Sequence, residues 1–315
     1  MDPVVARVAA IDCGTNSIRL LIADLTSSGM REVTREMEIV RLGEDVDANK
    51  SFKVEAIERT LKVVARYRDE MRRRGVERIR FCATSATRDA SNRELFIDGV
   101  KELIGVVPEV IPGIEEARLT FLGATAGLSP EAGPFLVVDI GGGSTEFVFG
   151  SKSVESAASV DIGCVRMYER HLHGNPVEKD ALQSAIADID GAIARAASDV
   201  PIQSAKTLIA VAGTATTVAA ASLDLDSYDR EAIHMARISA AEVHRVALLF
   251  QNSAREKIAA LAYMHPGRVD VITAGSLVLS RVLLATSADS FIASETDILD
   301  GIALSLADEA QDRRS

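Results

Sequence analysis

The sequence predicts an α/β protein built from two related domains that face each other across a cleft. A pattern of apolar strand, Asp-x-Gly, polar turn and apolar strand occurs twice, at 8–22 and at 135–149. Superposing Asp12 on Asp139 puts Gly14 on Gly141 and Ser17 on Ser144. Two copies so far apart point to a duplicated unit. The 315 residues suit two domains, each with its own core. Around the copies, short β-prone runs alternate with stretches of helical period.

Composition narrows the class. With 47% apolar and 26% charged residues the chain reads as a soluble globular protein. Aromatics are 4% and Trp is absent, so the cores are aliphatic. No apolar run reaches a membrane span, and no signal peptide opens the chain. The expected compartment is the cytoplasm. Three scattered cysteines suggest neither a disulfide framework nor a zinc site. The net charge of −11 argues against nucleic acid as a partner. It is uneven: residues 1–124 carry 20 basic and 21 acidic side chains, whereas 125–315 carry 15 and 25. A polyanionic substrate would therefore need local positive groups and a metal ion.

In order, residues 4–25 form the first hairpin, with Cys13 as a small apolar filler in its turn. A further strand follows over 31–42, then an acidic loop from Gly43 to Lys50. Val54, Ile57, Leu61, Val64, Tyr67 and Met71 recur at helical spacing and predict a helix over 54–74, capped by Gly75. Arg72, Arg73 and Arg74 suit its last turn. Arg78 to Cys82 is a strand, and the polar loop 83–88 leaves its C-terminal end, where open α/β sheets bind ligands. Arg88 offers a planar fork for phosphate oxygens. Helix 92–103 and edge strand 108–111 precede a helix opened by Gly113, whose acids Glu115 and Glu116 suit a helix N-terminus on dipole grounds alone. The turn-rich 127–134 marks the domain boundary.

The second hairpin carries more chemistry. Gly141, Gly142 and Gly143 weaken a sheet but let backbone N–H groups form an anion nest. Asp139 and Glu146 suit a hard cation such as Mg²⁺. A strand follows over 156–162, ending near Gly163. His171 and His173 read as a loop after a short helix, not a metal site. Asn175, Pro176 and Glu178 predict a helix start, and Leu182, Ala185, Ile186, Ile189 and Ile193 its buried stripe. Strand 207–212 leads into Gly213 and Thr214, a phosphate- or ribose-binding arrangement. Ser239 and Glu242 form a capping box for a helix to Asn252. A helix over 276–286, a strand over 291–294 and a helix over 296–310 complete the chain.

Four strings occur in order: Asp12-Cys-Gly-Thr-Asn-Ser-Ile-Arg-Leu20, Ala83-Thr-Ser-Ala-Thr-Arg88, Gly113-Ile-Glu-Glu-Ala-Arg118 and Asp139-Ile-Gly-Gly-Gly-Ser-Thr-Glu146. Together they resemble the Ppx/GppA phosphatase family of exopolyphosphatases and guanosine pentaphosphate phosphohydrolases. That family lies within the actin, sugar-kinase and Hsp70 ATPase superfamily, and the resemblance covers nearly the whole chain. It implies two actin-like (ribonuclease H-like) domains with mixed sheets flanked by helices, at 1–124 and 125–315, the closing helix near 296–310 packing on the first. It implies Glu116 as the catalytic carboxylate, with Glu115 the adjacent alternative, and catalytic roles for Arg88 and Glu146. Phosphate would be held by Gly14, Thr15, Asn16 and Ser17, by Gly141, Gly142, Gly143, Ser144 and Thr145, and by Gly213, Thr214 and Arg268. Mg²⁺, or Mn²⁺ in its place, would be held by Asp139 and Glu146, with Asp12 through water. His234 is followed by Met235 where many members carry His-Gly.

The function expected is that of an exopolyphosphatase releasing orthophosphate from polyphosphate ends. Guanosine pentaphosphate phosphohydrolase is the alternative with the same chemistry. A non-catalytic sensor of the guanosine alarmone and a sugar or acetate kinase are readings of other classes. The partners implied are polyphosphate or guanosine pentaphosphate, with no nucleic acid and no membrane; the resemblance also allows a homodimer.

Overall fold

The computed structural model describes residues 4–27, 29–174, 176–286 and 288–312. It divides into two compact units, Met1–Gly123 with Ile298–Ser315, and Ala124–Asp297.

The first unit opens with a meander, β1 (Val4–Cys13), β2 (Ser17–Thr26) and β3 (Gly29–Ile39). Then come α1 (Val46–Asn49), α2 (Val54–Arg74), β4 (Arg78–Ala83), α3 (Ser85–Asp89), α4 (Arg93–Ile104), β5 (Glu109–Val110) and α5 (Gly113–Thr125). The sheet runs β3-β2-β1-β4-β5. β1 pairs antiparallel with β2 and parallel with β4, so the sheet is mixed.

Residue alternation sorts the strands onto two faces. Ala9, Ile11, Ile18, Leu20 and Phe81 pack on Ile57, Val64, Tyr67 and Met71 of α2 and Phe96 of α4. Val54, expected on that stripe, is exposed because it is the first helical residue. Val8, Ala10, Leu21 and Ala23 face the other way, onto α13 (Ile298–Asp312). The 83–88 stretch, expected as a loop, holds the short helix α3, whose first turn closes when Thr87 and Arg88 N–H groups bond the Thr84 carbonyl (3.0 and 3.1 Å).

The second unit repeats the plan with β6 (Phe135–Ile140), β7 (Thr145–Gly150) and β8 (Val154–Val160). It continues with α6 (Cys164–His171), α7 (Lys179–Asp199), β9 (Thr207–Val211), α8 (Ala212–Ser222), α9 (Arg230–Ile233), β10 (Arg237–Ser239), α10 (Ala240–Asn252), α11 (Arg255–Ala259), α12 (Ile272–Thr286) and β11 (Ser290–Ala293). Its sheet runs β10-β11-β9-β6-β7-β8. Read from the meander outward, β8-β7-β6-β9-β11 matches β3-β2-β1-β4-β5 strand for strand. The extra edge strand β10 is three residues long and carries no alternation that marks it in the sequence.

The expected cap Asn175 lies outside the described residues; α7 starts at Lys179 with Glu178 at its cap. The Ser239 cap of α10 forms as the sequence indicates, its hydroxyl accepting from Glu242 N–H. α12 begins at Ile272, before the expected 276, because the buried run Val271 to Val278 continues the helix backward.

Candidate active site

Each Asp-x-Gly turn closes by the same bond. Gly14 N–H donates to the Ser17 carbonyl (2.9 Å), and Gly141 N–H to the Ser144 carbonyl (3.1 Å). Each turn is also braced from behind by the chain that leaves the third strand. In the first unit, Val40 and Arg41 N–H groups donate to the Asn16 carbonyl (3.0 and 2.9 Å), and Gly43 N–H to the Thr15 carbonyl (2.9 Å). In the second, Gly163 donates to Gly143 (3.2 Å), Cys164 to Gly141 (2.9 Å), and Val165 and Arg166 to Gly142 (2.9 and 3.1 Å).

The consequence follows from the trans peptide, whose C=O and N–H point in opposite directions. With three successive carbonyls turned toward α6, the N–H groups of Gly142, Gly143 and Ser144 point away from it. Successive N–H groups turned to one side are the arrangement that an anion suits. The brace demands glycine. A Cβ on Gly163 would overlap the Gly142 carbonyl, and one on Gly43 would overlap Thr15 Cγ2 and the Ala86 side chain. The buried Arg166 adds a side-chain bond from Nε to the Gly143 carbonyl (2.6 Å). Gly43, Gly163 and Arg166 are bracing residues that the sequence alone underrates. Their equivalent place after the third strand of each copy is the signal that could have found them.

The first unit brings together two of the three expected catalytic groups, Glu116 and Arg88; the third, Glu146, lies in the second unit. Glu116 sits in the first turn of α5, buried at 8% exposure, and accepts from Arg88 Nη1 at 2.7 Å. The same Arg88 nitrogen donates to the Ile111 carbonyl (2.9 Å), tying the arginine to the chain that leads into α5. Thr84, whose hydroxyl favours the ionised form of Glu116, has its Oγ1 3.8 Å from the position a Cβ on Gly14 would take. Glu116 therefore stands beside the first glycine turn. α5 is fixed against α13 at Gly301, where any Cβ would overlap the Leu119 carbonyl.

Burial pushes the Glu116 carboxyl above its ordinary range, while Arg88 and the Thr84 hydroxyl pull it down and nearby Asp12 pushes it up. Glu115 turns elsewhere, pairing with Arg80 (3.4 Å) and Arg118 (3.7 Å). Cys13 is buried and its thiol is held well above the ordinary range by burial, which fits a filler.

In the second unit, Asp139 and Glu146 are direct partners in the β6–β7 register, so their side chains share one face of the sheet. Both are buried, and Ser159, opposite Glu146 on β8, donates to Glu146 Oε1 (2.7 Å). Among the described residues no group of three or more His, Cys, Asp or Glu side chains gathers as a metal cluster. Asp12, expected as a further ligand through water, has its Oδ2 held by Arg19 at 2.7 and 3.0 Å. Thr145, expected to bind phosphate, instead donates to the Ile162 carbonyl (2.9 Å), because as the first residue of β7 its side chain faces inward.

Gly213, Thr214 and Arg268 do come together. Arg268 lies flat on Gly213, its Cζ 2.5 Å from where a Cβ would be, and donates to Thr217 Oγ1 (3.1 Å). Gly213 and Thr214 lie inside the first turn of α8 and not in a preceding loop. The left-handed residue at the turn is Ala212 (φ 64), so glycine at 213 serves space and not backbone conformation. Thr214 is buried beside Cys164 at Gly275, and burial pushes the Cys164 thiol up to about 11. His234 Nδ1 accepts from Glu295 N–H (3.2 Å), a structural bond.

The model of the Ppx/GppA phosphatase family matches residues 21–310. Exopolyphosphatase 2 of Mycobacterium tuberculosis is 45% identical over 314 residues, covering 96% of this chain and 98% of that protein. A crystallised exopolyphosphatase-like protein superposes with a TM-score of 0.93 at 42% identity, covering 96% of this chain and 97% of that one. The crystal structure of the Aquifex aeolicus Ppx/GppA family member gives a TM-score of 0.82 at 28% identity, covering 98% and 99%. No helix among the described residues is long and apolar enough to cross a membrane.

Proposed function

The chain belongs to the Ppx/GppA phosphatase family, and from that premise we propose that it is an exopolyphosphatase, releasing orthophosphate from the ends of inorganic polyphosphate. The observation that carries the reading is the buried Glu116, held by Arg88 at 2.7 Å beside the first glycine turn. Phosphoanhydride hydrolysis needs an oriented water, charge neutralisation and little covalent chemistry from the protein. Glu116 would take the proton of the attacking water. Arg88 opposes the upward push of burial on Glu116, and its remaining N–H groups suit the charge that develops on phosphoryl oxygens.

The nest at Gly142, Gly143 and Ser144, the turn at Gly14 to Ser17, and Gly213 with Arg268 are the phosphate-binding groups of this reading. Phosphatases of the family are generally metal-dependent. Asp139 and Glu146 fit Mg²⁺, since both offer hard oxygen donors from one sheet face. When bound, the cation would supply positive charge against the phosphate oxygens.

The test is orthophosphate release from polyphosphate with Mg²⁺, by the parent and by Glu116→Gln. The substitution should lower the rate roughly 10²- to 10⁴-fold. A variant as active as the parent would remove Glu116 from the mechanism. No release by the parent, with guanosine pentaphosphate bound but not cleaved, would replace the enzyme by a sensor. Cleavage of guanosine pentaphosphate in preference to polyphosphate would make the chain a pentaphosphate phosphohydrolase.

A further inference from the structure

Residues 40–52 link two parts of the first unit's site. At one end, Val40, Arg41 and Gly43 brace the turn at Gly14 to Ser17. At the other, Ser91 N–H bonds the Lys50 carbonyl (2.8 Å), and Asn92 exchanges two bonds with the Phe52 backbone (2.8 and 3.0 Å), just beyond α3 and its Arg88. Three non-glycine residues of this segment are left-handed: Arg41 (φ 49), Asp45 (φ 60) and Lys50 (φ 52). L-residues avoid that region, so the surroundings must impose it.

At Arg41, helix α2 supplies the constraint through Arg59. Its Nε donates to the Val40 carbonyl at 2.5 Å, its Nη2 reaches the Arg41 carbonyl at 3.4 Å, and it lies 3.7 Å from Glu44. The guanidinium thus grips the carbonyls of the same two residues whose N–H groups hold the Asn16 carbonyl. We propose that Arg59 is a positioning residue for phosphate binding: by fixing Val40 and Arg41 it sets the direction of the peptide after Asn16 in the first anion-binding turn. The proposal rests on the reading that this turn binds phosphate. Arg59 acts one layer behind the turn, where a planar fork can reach two carbonyls and an ammonium group cannot serve both equally well.

Arg66 is a matched control. It sits on the same helix and also reaches toward β3, pairing with Glu38 (2.6 Å), but its partner is a side chain outside the brace. Tripolyphosphate affinity is measured by calorimetry, and polyphosphate kinetics are followed, for the parent, Arg59→Ala, Arg59→Lys and Arg66→Ala. Arg59→Ala should weaken tripolyphosphate binding and raise KM about tenfold while kcat changes less than roughly threefold. Arg59→Lys should fall between it and the parent. Arg66→Ala should stay within roughly twofold of the parent in both, with a Tm like that of Arg59→Ala.

Parental affinity in Arg59→Ala, or an equal loss in Arg66→Ala, overturns the proposal. If Arg59→Ala does not fold, Arg59→Lys decides: weakened binding at a parental Tm supports the role, and parental binding refutes it. A parent that binds tripolyphosphate without releasing phosphate sinks the hydrolase reading alone, since the affinity comparison still stands. A parent that binds none overturns both.

Discussion

The two Asp-x-Gly turns share a backbone and differ in charge. Seven residues after the first aspartate stands Arg19; seven after the second stands Glu146. Each is the cross-strand partner of its aspartate, Asp12 with Arg19 and Asp139 with Glu146. In the first unit this makes an ion pair that closes on itself, 2.7 Å from Arg19 Nη2 to Asp12 Oδ2. In the second it places two carboxylates side by side, an arrangement that a cation relieves. Duplication kept the scaffold that aims backbone N–H groups. A single position in the neighbouring strand then sets whether the aspartate faces an arginine or a second carboxylate.

The braces offer the largest test of this comparison. Behind the second turn, a Cβ on Gly163 meets backbone, the Gly142 carbonyl; behind the first, a Cβ on Gly43 meets chiefly side-chain methyls. Gly163→Ala should therefore cost about 3 kcal/mol, as overpacking against backbone does, and Gly43→Ala about 2 kcal/mol, because Thr15 Cγ2 can rotate aside while the Ala86 Cβ cannot. Urea unfolding of both variants checks the order, and equal costs would break the distinction. The charge difference comes next. Glu146→Gln should raise the Mg²⁺ concentration for half-maximal phosphate release at least roughly tenfold, as losing a carboxylate ligand does. Arg19→Met should leave that concentration near the parental value, and if it shifts as far as Glu146→Gln does, the two hairpins are not divided as described.

The pH profile sharpens the first unit's side. Glu116 works as a base only when ionised, and burial has raised its pKa, so activity should fall as pH drops through a value above the ordinary carboxylate range. Arg88 lowers that pKa, so Arg88→Gln should move the acid limb to higher pH. Asp12 raises it, so Asp12→Asn should move the limb to lower pH. Normalised rate profiles read both signs. The smallest effect lies at the α8 turn, where Ala212 holds the left-handed conformation (φ 64). Ala212→Gly should stabilise the protein by up to about 1 kcal/mol in thermal unfolding, relief of backbone strain exceeding the added chain entropy.

Much of the fold was legible because its signals are local. The stripe of α2 and its Gly75 cap, the Ser239 cap of α10 and the repeated hairpins each fit within one element or one turn. The turns themselves, Arg88, Glu116 and the Asp139–Glu146 pair could be singled out from four short strings. The direction of the Thr145 hydroxyl was not legible, because in a glycine-rich string it looks the same whether it faces a ligand or the Ile162 carbonyl. At Gly213 the glycine makes room for Arg268 while Ala212 bends the chain, a division of labour that neighbouring residues do not spell out. The braces were hardly visible: Gly43 and Gly163 stand tens of residues from the turns they hold, within stretches that read as an acidic loop and a strand end.

By itself the sequence determined that there are two like hairpins, one followed by arginine and one by glutamate, because strand alternation and turn chemistry are written in neighbouring residues. Only the tertiary structure decided which carbonyls are held from behind, and hence which way the N–H groups point. It alone brought Arg88, 28 residues upstream, to 2.7 Å from Glu116. The reason is that a peptide's direction and a buried carboxyl's charge state depend on groups distant in the chain, which only packing makes neighbours.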